Sequence, residues 1–245
     1  MSATFFRENS LRKEMKKRKL TFFSDKHRVL EKSRNKEEIT ERDVETLKNS
    51  KMKYYMLFEG VDDKTDIICY SEAEEPGDTP LHLMFCRGIK CESWDGNFCF
   101  YYDEKEGNRA TDFLANDMGC FLVSDKLRKV LESLNTEIQF LAVKIMERKS
   151  RKELPDYYIA NILRVVDALC LEKSVYYQSY MAKLGIICNV VKYGIFAEKT
   201  ENSDVFKLAD GQEIPIFVSE NFKNKVEKEE ITGIDFLEIK VFENE

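Results

Sequence analysis

His82, Cys86, Cys91 and Cys99 are the residues whose types and closeness most invite a chemical role. Imidazole and thiolate are zinc ligands, and these four fall within a short span. Their spacing lacks the paired C-x2-C geometry of zinc knuckles, and Cys99 alternates within FCFYY as a core residue does. Free cysteine is among the most buried residue types. Ordinary burial is therefore the reading preferred here, with no metal and no cofactor. The other histidine, His27, stands far away in a charged stretch. The sequence contains no Gly-rich phosphate loop, no His-Glu-x-x-His and no Gly-x-Ser-x-Gly, so no familiar catalytic set is expected.

Carboxylates are the next group. Asp62 and Asp63 adjoin, and Glu72, Glu74, Glu75 and Asp78 crowd the turn-rich run SEAEEPGDTP. A calcium loop needs stricter alternation of oxygen ligands. Their plain role is solvation; their functional role would be an acidic rim for a basic partner. Trp94, with Asp95 beside it in ESWDG, is either a binding anchor or a cap on the edge of a local sheet. These eight positions are the candidate partner-binding residues.

The elements that must position them are organised around 154–174, LPDYYIANILRVVDALCLEKS. Its aromatic and β-branched residues favour a strand over about 157–166 that turns at Asp167, although a helical stripe also fits. On each side lies a copy of one pattern, at 121–145 and 216–241. Each reads as a strand ending on Val-Ser-acid, a short amphipathic run, and an alternating strand of the form Ile-x-Phe-Leu. Ser124 and Ser219 are placed to cap the two helices, with Asp125 and Glu220 at their positive ends. Helices this short need a shared sheet to bury their faces.

Around these units the texture predicts strands at 52–59, 65–70, 81–88, 97–102, 186–191 and 205–208. A short helix is expected at 176–182 and a turn at Asp210-Gly211. The region 52–120 reads as short antiparallel strands. The whole is an α+β protein, mostly antiparallel strands with short helices.

Residues 1–51 differ from the rest, with no Gly or Pro and 15 Lys+Arg against 9 Asp+Glu. The remainder carries 24 against 36, so an acidic body at 52–245 follows a basic, helical-looking extension at 1–51. Within the extension, RKEMKKRK at 12–19 reads as a nucleic-acid patch or a solvated helical face, and Thr40 opens a capping box. An acidic body disfavours nucleic acid as the ligand of the main domain and suits a basic protein partner. Seven cysteines at irregular spacing indicate reduced thiols and a cytoplasmic setting. No run of about eighteen apolar residues occurs, so no membrane span is expected.

Two motifs carry a resemblance. Tyr157, Tyr158 and Asn161 lead into a turn at Asp167 and then Ser174; later, Val218-Ser219-Glu220 opens a helix that ends in Thr232-Gly233 and Phe236. This combination resembles the immunity proteins of bacterial polymorphic-toxin systems, over about 52–245. It departs where Cys170 replaces the second Asp of the turn, and where Lys207 stands in place of a frequent Arg. The resemblance implies a protein, not an enzyme, that binds a cognate toxin and neutralises it by occlusion. It also implies that Tyr157, Tyr158, Asn161, Asp167, Ser174, Gly233 and Phe236, with the capping Ser124 and Ser219, hold the fold. Two other classes compete: an enzyme using a cysteine or carboxylate site, and a regulatory adaptor with a basic N-terminal arm.

Overall fold

The computed structural model describes residues 52–62, 64–71, 81–181, 185–209 and 214–243. The extension at 1–51, with its basic run, capping box and His27, lies outside the described residues. So do Asp63, Glu72, Glu74, Glu75, Asp78 and the Asp210-Gly211 turn.

In chain order the first half contains β1 (Tyr54–Glu59), β2 (Ile68–Ser71), helix α1 (Leu81–Cys86), β3 (Cys99–Tyr102) and β4 (Phe113–Asn116). It ends with β5 (Leu122–Ser124), helix α2 (Asp125–Glu132) and the long β6 (Ile138–Glu147). Then come β7 (Tyr157–Ile162), β8 (Val165–Val166), β9 (Val175–Met181), β10 (Gly185–Lys192) and β11 (Gly194–Phe196). The chain closes with β12 (Val205–Leu208), β13 (Phe217–Ser219), helix α3 (Glu220–Lys228), β14 (Ile234–Glu238) and β15 (Lys240–Phe242). This is the α+β class expected from the sequence, and both strand–helix–strand units are present.

Strands β2-β3-β6-β7-β5-β4 close into a barrel, and β14-β1-β13-β12-β8 form a second sheet. Cys69, Phe100, Leu114, Leu122, Ile145 and Ile159 fill the barrel. Leu127 and Leu131 of α2, with Phe222 and Val226 of α3, join Tyr55, Val123 and Val218 in a second core. A third gathers Tyr54, Phe206 and Phe217 with Ile195. Complete removal of such side chains from water stabilises the fold by about 1.5–3 kcal/mol each.

The two units are copies in register as well as in pattern. In the first, Val123 faces Phe113 on one side and Tyr158 on the other; in the second, Val218 faces Val205 and Tyr55. Phe140 pairs with Ala160 as Phe236 pairs with Leu57. The strand equivalent to β7 is thus β1, drawn from the front of the chain. Both carry a Tyr-Tyr pair, 157–158 and 54–55. Arg128 lies over the Tyr158 ring at 4.9 Å, and Lys223, four residues beyond its own cap serine, lies over Tyr55 at 4.5 Å.

Several expectations are corrected. Residues 81–86 form helix α1, not a strand: Leu81 and Phe85, four apart, are both buried, and buried Lys207 donates to the Phe85 and Cys86 carbonyls at the helix end. In a run this short, alternation and helical spacing are both satisfied by the same letters. Residues 175–181 form strand β9, not a helix. Their aromatic and β-branched content favours pleated pairing, and β10 supplies the partner. Thr65 lies in a turn, and the strand begins at Ile68. Pairing around 52–120 is not wholly antiparallel, because β2–β4 and β3–β6 are parallel contacts that close the barrel.

Candidate functional site

The described candidate residues turn out to be built into loops. Asp62 shapes its turn, accepting the Lys64 N–H at 3.1 Å and donating its own to buried Asp66 at 2.8 Å. Asp66 also binds the Arg109 guanidinium, which holds its carboxyl below the usual carboxylate range. Asp95 accepts from the Asn97 backbone and side-chain amides at 2.9 and 3.1 Å, and those bonds lower its pKa. An exposed carboxylate so engaged makes a turn, with its remaining lone pairs open to solvent.

Trp94 is half-buried. Its Nε1 donates to the Ala142 carbonyl on β6 at 2.7 Å, and its ring meets Phe85 edge-on and tilts over Phe98. The loop bearing Trp94 and Asp95 is pinned from below by a cross-strand pair of β6 and β7. Gln139 bonds both the N–H and the carbonyl of Cys91, while Asn161 donates to the Ile89 carbonyl at 2.8 Å. Asp62 is not brought into bonded contact with this loop by any interaction described.

The metal-type residues do not converge. His82 and Cys86 lie on α1, Cys91 in the loop and Cys99 on β3; among the described residues no three such groups are placed to share an ion. Burial pushes the Cys69 thiol up to about 12 and raises Cys120 as well, so neither is a ready nucleophile at neutral pH.

The resemblance residues occupy joints. Tyr157 donates its hydroxyl to the Thr111 carbonyl at 2.7 Å. Ser174 accepts the Gly194 N–H and donates to the Cys170 carbonyl, tying a 3-10 turn to β11. Ser124 and Ser219 accept the Leu127 and Phe222 N–H groups at 3.2 Å. Gly233, at φ +80°, leaves no room for a Cβ, which would stand 2.4 Å from the Phe113 carbonyl. Phe236 stacks edge-on against both Tyr55 and Phe222. Asp167 differs: it is exposed, 4.0 Å from the Lys199 ammonium.

Sequence reasoning missed an exposed apolar display. β9 and β10 form a two-stranded ribbon of their own. Val175, Tyr177 and Val191 are 53%, 60% and 56% exposed, while Val190, across from Tyr176, turns to the third core. Val175 and Tyr177 are two apart and share a face. A lone hairpin is marginal in water, so such a ribbon gains from a partner. The signal was present in VYYQSYM, but as a helix that run would not have shown the two residues side by side.

Compared with known proteins, the chain matches the model of the immunity protein family (Imm11) over residues 29–241. The match begins within the segment ahead of Met52. No curated protein matches the chain.

Proposed function

Because the chain belongs to the Imm11 immunity protein family, we propose that it binds a cognate bacterial toxin and neutralises it by covering the toxin's working surface. The observation that carries this reading is the outward face of the β9–β10 ribbon. Val175, Tyr177 and Val191 present apolar area on a two-stranded ribbon separate from the larger sheets. Aromatic anchors surrounded by polar rims dominate binding energy at such interfaces. Trp94 and Asp95, and the acidic residues Asp62, Asp63, Glu72, Glu74, Glu75 and Asp78, belong to the partner-binding set in this reading. The acidic charge steers a basic toxin domain toward the protein. The protein acts without chemistry of its own, in the cytoplasm where the toxin would strike, and residues 1–51 are an extension that is not needed for capture.

The test is co-expression with the product of the neighbouring toxin gene. The reading requires that cells die with the toxin alone, survive with both, and yield a complex on affinity purification. Survival without a complex points to an enzymatic antidote and removes the occlusion mechanism. No rescue and no complex removes the toxin reading.

A further inference from the structure

We propose that the cleft between α2 and α3 docks an acidic polypeptide segment, with two or more carboxylates flanking one apolar side chain. The cleft has a volume of about 410 Å3 and is lined by the four lysines Lys126, Lys129, Lys225 and Lys228, the two carboxylates Asp125 and Glu229, and Val130. Clefts of several hundred Å3 are of the size that holds a ligand or a few side chains. This goes beyond the toxin reading and does not depend on it.

The lysines are presented by the helix pairing. Lys126 and Lys129 are three apart on α2, as are Lys225 and Lys228 on α3, so each pair lies on one helical face. Two of the four are held in place. Lys126 donates to the Glu230 carbonyl at 3.0 Å, just past the end of α3; Lys225 donates to the Ser133 carbonyl at 3.0 Å and hydroxyl at 2.7 Å, at the end of α2. Each helix thus neutralises the negative end of the other. An ammonium has three donors, so both retain bonding capacity toward the cleft.

Lys129 and Lys228 stand at the rim, their side chains 69% and 81% exposed. Their acidic neighbours offset them only in part, since four lysines face two carboxylates in the lining. Asp125 is shared between Lys129 and Arg128, and Glu229 reaches Lys228 only at 3.7 Å. The result is an island of positive charge on a body with 24 basic against 36 acidic residues. That contrast selects the partner. The acidic balance of the body disfavours a long polyanion, and no arginine fork lines the cleft to grip a phosphate. A short acidic peptide fits within the island, and buried Val130 gives it an apolar foothold.

The test uses the purified full chain at low salt with a dye-labelled Glu-Glu-Leu-Glu-Glu peptide, read by fluorescence anisotropy. Saturable binding is expected, weakened about tenfold or more in the Lys129→Glu, Lys228→Glu double variant. These side chains are exposed, and an unchanged melting temperature shows the variant folded. A second double variant, Lys90→Glu with Lys105→Glu, makes the same charge change outside the cleft and should bind within about twofold of the parent. The proposal is overturned if the peptide does not saturate or if both variants weaken it equally. It is also overturned if a single-stranded oligonucleotide of equal charge, with the same dye, binds as tightly.

Discussion

The Asp112 carboxylate accepts both the amide and the hydroxyl of Thr232, 120 positions later in the chain, at 2.9 and 3.0 Å. The same carboxylate holds the hydroxyl of the cap serine Ser124 at 2.6 Å. In the other unit Asp204 binds the Ser219 hydroxyl and accepts the Asn135 N–H at 2.9 Å from the loop after α2. Each unit therefore fastens its own helix cap to the other unit's loop through one aspartate.

Removing either aspartate strands a cap serine and a loop amide together. Asp112→Ala and Asp204→Ala should each lower unfolding free energy by about 2–3 kcal/mol, measured by urea denaturation. Asp167→Ala, at an exposed position, should cost no more than about 0.5 kcal/mol. Three indistinguishable midpoints would refute the double clasp.

Two glycines with positive φ separate backbone strain from collision. Gly233→Ala combines φ +80° with a Cβ 2.4 Å from a carbonyl, whereas Gly119, at φ +60°, has nothing within 4 Å of its Cβ. Gly119→Ala should cost about 1 kcal/mol and Gly233→Ala clearly more, enough to lower yield of folded protein. Equal losses would mean that the α3–β14 loop gives way freely.

Acid should loosen the protein through carboxylates held below their ordinary range. For Asp66 the cause is chiefly the Arg109 guanidinium, and for Glu147 the N–H of Ser150. A depressed carboxyl stabilises the fold above its unfolded-state pKa, near 4, and that stability is lost as pH falls through the lower folded value. The parent's melting temperature should drop steadily below about pH 4. Asp66→Asn should melt lower at pH 7 but show a flatter decline in acid. Parallel curves for the two proteins would remove Asp66 from this role.

The ribbon and the Trp94 loop should respond differently to substitution. Tyr177→Ala should weaken toxin capture about tenfold or more with little change in melting temperature. Trp94→Ala should lower the melting temperature first, because it releases the Ala142 carbonyl and uncovers Phe98. A toxin complex indifferent to Tyr177→Ala would move the contact surface elsewhere.

A chain starting at Met52 tests the extension. It should retain the parent's toxin affinity, measured by calorimetry, within about threefold. A large loss would place the binding surface partly in residues 1–51, in keeping with a family match that begins at residue 29.

Local letters were enough for the two units around Ser124 and Ser219, because a cap, a short amphipathic run and an alternating strand are decided by neighbours a few residues apart. They also placed a strand at 205–208 and one over about 157–166, which the structure divides into β7 and β8. What they could not supply was pairing. That β1 completes the second unit, that parallel contacts close the barrel, and that 81–86 coils while 175–181 extends all depend on partners distant in sequence. Buried Lys207 reaches α1 from more than a hundred residues away, and β10 gives β9 its hydrogen bonds. The display of Val175 and Tyr177, and the gathering of four lysines between α2 and α3, arise only when those distant elements meet. Strand and short-helix propensities are small beside the free energy of packing, so the tertiary structure decided them.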